Sequence, residues 1–294
     1  MKLKNVFRTV SRYISPAGWA TLIVLLVAIV LLFVPPVTGL ADNGDYFMML
    51  NANGLYIQNP ETYQYNDYFQ NLYGIRQYFN ETDTSFMSSN QLFISVAILL
   101  NKLLFSNQFF DLRFLGAVYL LALLPAIYLL ARALTFGMST KRSYVLATLI
   151  ALMFGDGMYL IFFNSFYPEA AAYIGLLYFV AFIFYFFRVK VSSYGFFLAA
   201  LVSVLILVGA YRQYLFILIG VTVTALGLLF YSINRTQKLT LITTLIGVVG
   251  LMVTFYVLTP DLTYDRDVYH SVNRGLILNT EKPGDILSEG DVNT

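Results

Sequence analysis

Long apolar stretches separated by short charged segments dominate the sequence. A helix that crosses a membrane needs about 20 mostly apolar residues. Stretches near that length occupy residues 19–38, 112–134, 143–163, 169–187, 194–210, 213–231 and 239–258. Charged residues make up 12% of the chain, whereas soluble domains contain roughly 25%. We therefore predict an all-α polytopic membrane protein with about seven transmembrane helices, built as a single membrane-embedded unit over residues 1–294.

The placement of the basic residues predicts the orientation of these helices. Lysine and arginine accumulate in the short cytoplasmic segments of membrane proteins. If successive helices alternate in direction, the segments on one side contain no Asp or Glu and hold these basic residues: Lys2, Lys4, Arg8, Arg12, Arg132, Lys141, Arg142, Arg188, Lys190, Arg235 and Lys238. The N-terminus is therefore predicted inside, and residues 39–111 and 259–294 are predicted outside.

The predicted outer loop, residues 39–111, is much longer than the other connections, and long loops in compact proteins are usually functional. Its stretch 91–105 is apolar but is interrupted by Asn101 and Lys102. Runs of this length are more often interfacial or re-entrant than spanning, and of these we expect an amphipathic helix on the outer surface. The many aromatic residues of the loop fit either a belt at headgroup level or a platform that stacks on carbohydrate, and the sequence leaves both open.

Two carboxylates, Asp42 and Asp45, follow the first apolar stretch in the segment DNGDYFMML. One interpretation is helix capping, with Asp42 or Asn43 as the cap and acids in the first turn. A spacing of three places both acids on one helical face, where they repel unless they share a proton, a cation or a substrate hydroxyl. Because a cap needs one acid, the second favours a functional role.

A second acidic cluster lies in FGDGMYLIFFNSFYPEAA, residues 154–171. Asp156 falls inside the third predicted span, and ionisable groups at such depth usually face the bundle interior or a wet cavity. The glycines on either side of it would admit a neighbouring backbone or a ligand. Glu169, at the start of the next span, is compatible both with an ordinary helix start and with a site residue.

Two arginines, Arg113 and Arg212, lie at the predicted outer rim. They fit a lipid-linked phosphate, which arginine binds in a bidentate manner, or ordinary phospholipid headgroups. His270 follows a weak acid-x-acid motif in the C-terminal outer segment, where a histidine is more often structural than catalytic. The chain has no cysteine and one histidine, which excludes disulfides, thiolate metal sites and histidine-rich clusters. A net charge of +2 gives no indication of a nucleic-acid partner.

The order of these parts resembles the GT-C superfamily of polytopic glycosyltransferases, which use polyprenyl-phosphate sugars on the outer face of the membrane. Four segments are similar to a bacterial branch of membrane hexosyltransferases for cell-surface glycans: NGDY at 43–46, D-x-x-Y-x-x-x-x-NSFY-x-E from Asp156 to Glu169, YRQY at 211–214 and YHSVNRGLIL at 269–278. The resemblance covers nearly the whole chain, and NSFY is its most specific part. Relatives usually continue into further helices, so the resemblance also predicts that the chain is part of a longer enzyme.

The resemblance implies roles for individual residues. Asp45, with Asp42 as second candidate, would be the general base on the acceptor hydroxyl. The residues that would border the donor and acceptor cavity are Asp156, Asn164, Tyr167, Glu169 and His270. The residues that would bind the donor phosphate are Arg212, Gln213 and Arg113, although the turn at 211–214 lacks the proline of the Lys-Pro-Gln-like pattern in related enzymes.

The implied reaction transfers a hexose from a polyprenyl-phosphate donor to a cell-surface glycan or lipid-linked acceptor, with inversion, on the outer face of the bacterial plasma membrane. The expected partners are this donor, the acceptor and the lipid bilayer, with no nucleic acid. No cofactor is required, although a divalent cation between the acids is compatible with the sequence. Two alternatives stay open: a flippase or other transporter of lipid-linked glycans, and an inactive relative that scaffolds a glycan-assembly complex. Transporters place polar residues near the midplane of repeated halves, so acids at the outer face favour the enzyme.

Overall fold

A computed structural model of the chain describes residues 13–42, 46–58, 69–78, 88–190, 193–230 and 234–258, together with residues 272 and 275. The described part is mostly helical. The chain divides into two compact units, Met1–Tyr256 and Val257–Thr294. The helices that surround the candidate site belong to the first unit.

Helical structure is present at each stretch that the apolar pattern predicted to cross the membrane. In chain order the helices are α1 (Pro16–Phe33), α2 (Tyr46–Ala52), α3 (Ser89–Leu104), α4 (Arg113–Thr135), α5 (Thr140–Phe154), α6 (Gly157–Leu160), α7 (Glu169–Phe184), α8 (Tyr194–Gly209), α9 (Ile217–Phe230) and α10 (Arg235–Leu258). A 3-10 segment follows α6 (Ile161–Asn164), a π-helical turn extends α7 (Tyr185–Val189), and a second 3-10 segment precedes α9 (Arg212–Phe216).

Within the described residues, three helices are long and apolar enough to cross a bilayer by themselves: α1, α4, and α7 with its π-helical turn. A fourth span results if the bent pair of α5 with α6 and its 3-10 segment counts as one. Shorter apolar helices lie in α3, α8, α9 and α10. These helices support a multi-pass architecture, whereas the count of seven spans and their orientation stay predictions.

The third predicted span, residues 143–163, is not one continuous helix. The chain bends by 47° between α5 and α6, at the two glycines that flank Asp156. A β-carbon on Gly155 would lie 2.7 Å from the side chain of Val24, and one on Gly157 would lie 3.3 Å from that of Leu31. Both glycines therefore admit the close approach of α1, and the break is a packing feature between helices.

The long loop contains a small antiparallel sheet that the apolar pattern does not predict. Its strands β1 (Leu55–Tyr56), β2 (Leu72–Ile75) and β3 (Phe109–Asp111) lie side by side in chain order. Strand β2 pairs with both neighbours, and the buried side chains of the sheet join the hydrophobic core. The all-α prediction is therefore wrong in this loop, because strands of two to four residues are too short for a detectable alternation of polar and apolar positions.

One end of the bundle, here called the basic end, joins the starts of α1 and α5 and the ends of α4 and α7. The hydroxyl of Tyr144 donates to the carbonyl oxygen of Ile14. The guanidinium of Arg188 donates to the carbonyl oxygens of Leu134 at 2.8 Å and Phe136 at 3.1 Å. These contacts agree with α1, α4, α5 and α7 alternating in direction along the chain.

The opposite end, here called the polar end, joins the end of α1, the starts of α4 and α7, and the end of α8. The long loop with α2, α3 and the sheet packs against it. The predicted acidic candidates Asp42, Asp156 and Glu169 all lie in segments that follow or precede helices at this end.

Candidate functional site

The NSFY segment, residues 164–167, ties the long loop to the polar end of the bundle. The side-chain amide of Asn164 donates to the carbonyl oxygens of Leu32 at 3.1 Å and Thr38 at 2.9 Å. The hydroxyl of Tyr167 donates to the carbonyl oxygen of Ala41 at 2.9 Å. NSFY therefore holds the end of α1 and the chain that leads from it to Asp42.

The aromatic rings of the loop gather around Phe166. Tyr46 and Tyr73 each meet its ring edge-to-face, with centroids 5.2 Å and 5.0 Å away. Such pairs contribute about 0.5–1.5 kcal/mol beyond the area that they bury. The hydroxyl of Tyr46 donates to the carbonyl oxygen of Leu40 at 2.9 Å, and burial raises the pKa of Tyr46 far above its ordinary value. This hydroxyl thus remains a hydrogen-bond donor.

Asp42 acts at the start of α2. Its Oδ1 accepts a hydrogen bond from the backbone amide of Tyr46, the first residue of that helix, at 3.0 Å. This bond occupies one of the amides that a helix leaves unpaired at its start, in agreement with the capping interpretation for Asp42. Asp45, the predicted base, lies outside the described residues.

Glu169 brings two of the predicted segments together. It is the half-buried first residue of α7, and its charge acts on the hydroxyl groups of Tyr119 in α4 and Tyr214 in the turn before α9. The carboxylate also suits the N-terminus of a helix. The charge of Glu169 therefore couples the NSFY-x-E segment electrostatically to the YRQY turn.

Asn90 and Tyr119 complete the buried polar contacts, and the sequence analysis missed both. The side-chain amide of Asn90 donates to the carbonyl oxygen of Phe166 at 3.0 Å, and its Oδ1 accepts from the hydroxyl of Tyr119. Both side chains are fully buried. An amide side chain at the start of an apolar stretch was the available signal for Asn90, whereas Tyr119 resembles the other tyrosines of the chain.

The side-chain amide oxygen of Asn164 is another buried polar atom at the polar end. It is buried, and no hydrogen-bond donor reaches it within the part of the chain that the structure describes. It faces Gly116 in α4, where a β-carbon would collide with it. Gly116 is therefore required for the approach of NSFY to α4.

Of the two surroundings expected for Asp156, the bundle interior and a wet cavity, the exposed position of its side chain does not fit the first. Because the third span breaks at this position, the residue is exposed, and its Oδ1 accepts a hydrogen bond from the backbone amide of Met158 at 2.9 Å. Asp156 is thus the N-cap of α6, a role that a short polar side chain commonly has.

Arg113 is paired with Asp111. Its Nε lies 3.0 Å and 2.9 Å from the two carboxylate oxygens, and Asp111 is 4% exposed against 45% for Arg113. The backbone amide of Asp111 donates in turn to Oδ1 of Asn101 at 2.9 Å. Arg113 therefore stabilises the turn between β3 and α4 through this ion pair. A phosphate bound by Arg113 would share the guanidinium with the carboxylate of Asp111.

The remaining candidates are only partly described. Arg212 and Gln213 begin the 3-10 segment before α9, and Gln213 is exposed. The side chain of Arg212 and the whole of His270 lie outside the described residues. Among the residues that are described, no three His, Cys, Asp or Glu side chains come together as a metal site, and the cation at the acids stays a prediction.

An apolar cavity lies between α7, α8, α9 and α10, apart from these polar groups. Its cavity volume is about 70 Å³. Its lining includes Phe182, Phe196, Val221 and Leu241, and Thr224 is its one polar side chain. The cavity holds none of the candidate site residues.

These features define a multi-pass helical membrane protein with a polar layer at one end of its bundle. Residues 2–294 match the sequence profile of a family described as the YfdI N-terminal transmembrane domain. Because the match covers nearly the whole chain, the chain belongs to this family. No curated protein and no solved structure matches the chain. The similarity to glycosyltransferases stays a prediction.

Proposed function

We propose that the chain transfers a hexose from a polyprenyl-phosphate sugar to a glycan or lipid-linked acceptor at the polar end of the bundle. The observation that carries this proposal is that the half-buried carboxylate of Glu169 lies within electrostatic range of the hydroxyl groups of Tyr119 and Tyr214. Ionisable groups among apolar membrane helices are costly and usually functional. This carboxylate belongs to the NSFY-x-E segment and acts on a tyrosine of the YRQY turn, and both segments carry the resemblance.

The chemistry of the donor determines what the site must supply. A sugar on polyprenyl phosphate already has a good leaving group, so the site needs a base for the acceptor hydroxyl and positive charge for the departing phosphate. The base takes the hydroxyl proton, the hydroxyl oxygen bonds to the anomeric carbon, and the bond from that carbon to the phosphate oxygen breaks. A single displacement of this kind inverts the anomeric centre.

Asp45 is the proposed base. Asp42, three positions earlier, already serves the start of α2, and this capping role does not account for the second acid. A carboxylate base contributes about 10²- to 10⁴-fold to such a reaction. Glu169 is the proposed second acid of the site, where it would orient an acceptor hydroxyl.

Arg212 is the proposed partner of the donor phosphate. It begins the short segment that also carries Tyr214, the residue on which the charge of Glu169 acts. Arginine binds phosphate in a bidentate manner and keeps its charge at all relevant pH values. Arg113 is the second candidate, because 45% of its side chain is exposed.

Donor consumption tests the proposal. Purified full-length chain in lipid nanodiscs would be incubated with a panel of synthetic polyprenyl-phosphate hexoses and an acceptor glycan, and the loss of donor would be measured. We expect turnover by the wild type and a loss of about 10²- to 10⁴-fold in Asp45→Asn. Glu169→Gln should raise KM for the acceptor more than it lowers kcat.

Tyr78→Phe is the matched control, since Tyr78 is 85% exposed in the same loop and its hydroxyl is given no role. It should turn over donor like the wild type. Undiminished turnover in Asp45→Asn would remove that residue as the base. A wild type that consumes no donor in the panel would contradict the enzymatic proposal.

A transporter of lipid-linked glycans is the second candidate, and the broken third span favours it, because transporters use discontinuous helices. The break bends by 47° and carries Asp156 as a cap. Proteoliposomes with fluorescent lipid-linked glycan in one leaflet would distinguish the two functions. A transporter moves the intact lipid to the other leaflet, whereas a transferase releases polyprenyl phosphate.

A further inference from the structure

Helix α3 presents apolar side chains outward and asparagines inward. The outward residues are 47–71% exposed and recur at helical spacing: Leu92, Val96, Leu99 and Leu103. The inward residues are fully buried: Asn90, Ile94, Ala97 and Asn101. A helix on a water-exposed surface has the opposite arrangement, so the outward face of α3 is not built for water.

Measured along the axis of α4, the first turn of α3 lies deeper in the bundle than the first residue of α4. Ser88 and Ser89 donate from their hydroxyls to the carbonyl oxygens of Ala210 at 2.6 Å and Ile206 at 2.7 Å, at the end of α8. The next residue, Asn90, meets Tyr119. Tyr119 is six residues into α4, which corresponds to roughly 9 Å along that helix.

The last turn of α3 lies level with the start of α4. Asn101 accepts a hydrogen bond from the backbone amide of Asp111, and Asp111 pairs with Arg113, the first residue of α4. Helix α3 therefore runs antiparallel to α4, from the level of Tyr119 up to the level of Arg113.

Within α3, β3 and the adjoining part of α4, the charged residues lie at the upper end of the pair, which we take as the headgroup level on the lipid side, whereas Glu169 acts on Tyr119 from α7, among the polar contacts behind α3. Lys102, Asp111 and Arg113 are all found at the upper end, whereas residues 88–101 and 114–131 contain no Asp, Glu, Lys or Arg. Charged side chains are costly in the hydrocarbon region and remain at its edge. The uncharged length of α3 therefore lies on the hydrocarbon side of that edge.

We propose that α3 is a re-entrant helix that begins inside one leaflet and ends at headgroup level, with its outward apolar face against lipid acyl chains. This face is continuous with the outside of α4, where Leu121 is 66% exposed and where Phe114 meets Phe105, the residue after α3, with ring centroids 6.3 Å apart. The sequence analysis instead expected this helix to lie along the membrane surface.

One consequence is that α3 shields a polar layer from lipid. The contacts of Asn90 with Tyr119 and Phe166 lie behind it, below the headgroup level. The inference rests on the geometry of α3 and α4 and does not depend on sugar transfer.

Depth measurements on single cysteines test the proposal, because the chain has no cysteine of its own. Nitroxide labels would be attached at Leu92→Cys, Val96→Cys, Leu99→Cys and Leu103→Cys in the full chain in phosphatidylcholine liposomes. The ratio of relaxation by oxygen to relaxation by a water-soluble nickel chelate gives each depth. We expect depth to decrease steadily from 92 to 103, by roughly 9 Å or more in total.

Labels at Leu121→Cys and Tyr78→Cys provide the lipid-facing and water-facing references, since both side chains are exposed. Equal depths at the four positions of α3 would indicate a helix on the surface and would overturn the proposal. Strong relaxation by the nickel chelate at all four positions would indicate water, and dipolar broadening would indicate a second copy of the chain. Either result would also contradict the proposal.

A pair of lysine substitutions gives a second measurement. Leu92→Lys places a charge at the deep end of α3 and Leu103→Lys at the shallow end, where it can reach the headgroups. We expect the first to lower the thermal unfolding midpoint in liposomes by several degrees more than the second. Equal shifts would contradict a helix that enters the leaflet.

Discussion

The two ends of the helix bundle are held together in different ways. At the basic end, the side chains of Tyr144 and Arg188 reach backbone carbonyls that are close to helix termini. At the polar end, the amides of Asn90 and Asn164 are fully buried and reach across long distances in sequence. The contacts at the basic end therefore hold only helix termini in place, whereas those at the polar end require a defined arrangement of the backbone.

This difference has an energetic meaning. A buried polar group is unfavourable unless it is hydrogen-bonded, and a protein that buries several at one end has a narrow choice of conformations there. The same end carries the NSFY segment and Glu169. Substitutions at the two ends should therefore change stability by different amounts, and five of them are compared below, from the largest expected effect to the smallest.

The largest effect is expected for Asn164→Ala. It removes the bonds to the carbonyl oxygens of Leu32 and Thr38 and leaves two acceptors to be resolvated or left unpaired. We expect the free energy of unfolding in detergent micelles to fall by about 3 kcal/mol, measured by urea unfolding with circular dichroism. A loss below about 1 kcal/mol would show that the loop is held by its aromatic contacts alone.

Gly116→Ala should have the next largest effect. Its methyl group would collide with Oδ1 of Asn164, so that either NSFY or α4 must shift, at a cost of about 1–3 kcal/mol. Gly220→Ala in α9 is the matched control, because a β-carbon there meets no atom within 4 Å. The control should be neutral or stabilising by up to about 1 kcal/mol. Similar destabilisation in both variants would contradict the contact.

Tyr167→Phe and Tyr144→Phe compare one hydroxyl at each end. Each variant loses a bond to a carbonyl, that of Ala41 or that of Ile14. We expect a loss of about 1 kcal/mol for Tyr167→Phe. Tyr144→Phe should lower the free energy of unfolding by less, because water can reach the half-exposed residue Ile14 and replace the lost bond. Equal losses in urea unfolding would remove this distinction between the ends.

Arg188→Gln should have the smallest effect. Both of its bonds are exposed, and surface substitutions usually change stability by less than about 0.5 kcal/mol. The unfolding free energy of this variant, measured beside that of Asn164→Ala, gives the full range of the comparison. A loss as large as that of Asn164→Ala would show that the basic end is equally specified.

Helix boundaries illustrate what was predictable. The first apolar stretch was expected at 19–38, but α1 covers Pro16–Phe33. Ser15 accepts a hydrogen bond from the amide of Gly18 and Pro16 opens the helix, two signals that a count of apolar residues does not weigh. At the other end, Pro35 cannot continue a helix.

The role of a candidate site residue was predictable from the sequence only where it depends on neighbouring residues in the chain. The capping role of Asp42 follows from its position before a helix, and its bond to Tyr46 agrees with it. Asp156 has the same local signal, but its place inside an apolar stretch hid the break between α5 and α6. Hydropathy does not detect such a bend, so the exposure of Asp156 could not be read from the apolar pattern.

The sequence by itself determined that the chain is a multi-pass bundle of apolar helices, and it predicted that the acids and the long loop lie at one end. Hydropathy and charge are properties of single segments, and the bilayer selects for both. Only the tertiary structure decided that Asn90, Tyr119 and Phe166 share buried hydrogen bonds and that α3 turns its asparagines inward. Those contacts join residues far apart in the chain, and the side chains of Asn90 and Tyr119 are tolerated there because a specific partner meets each of them.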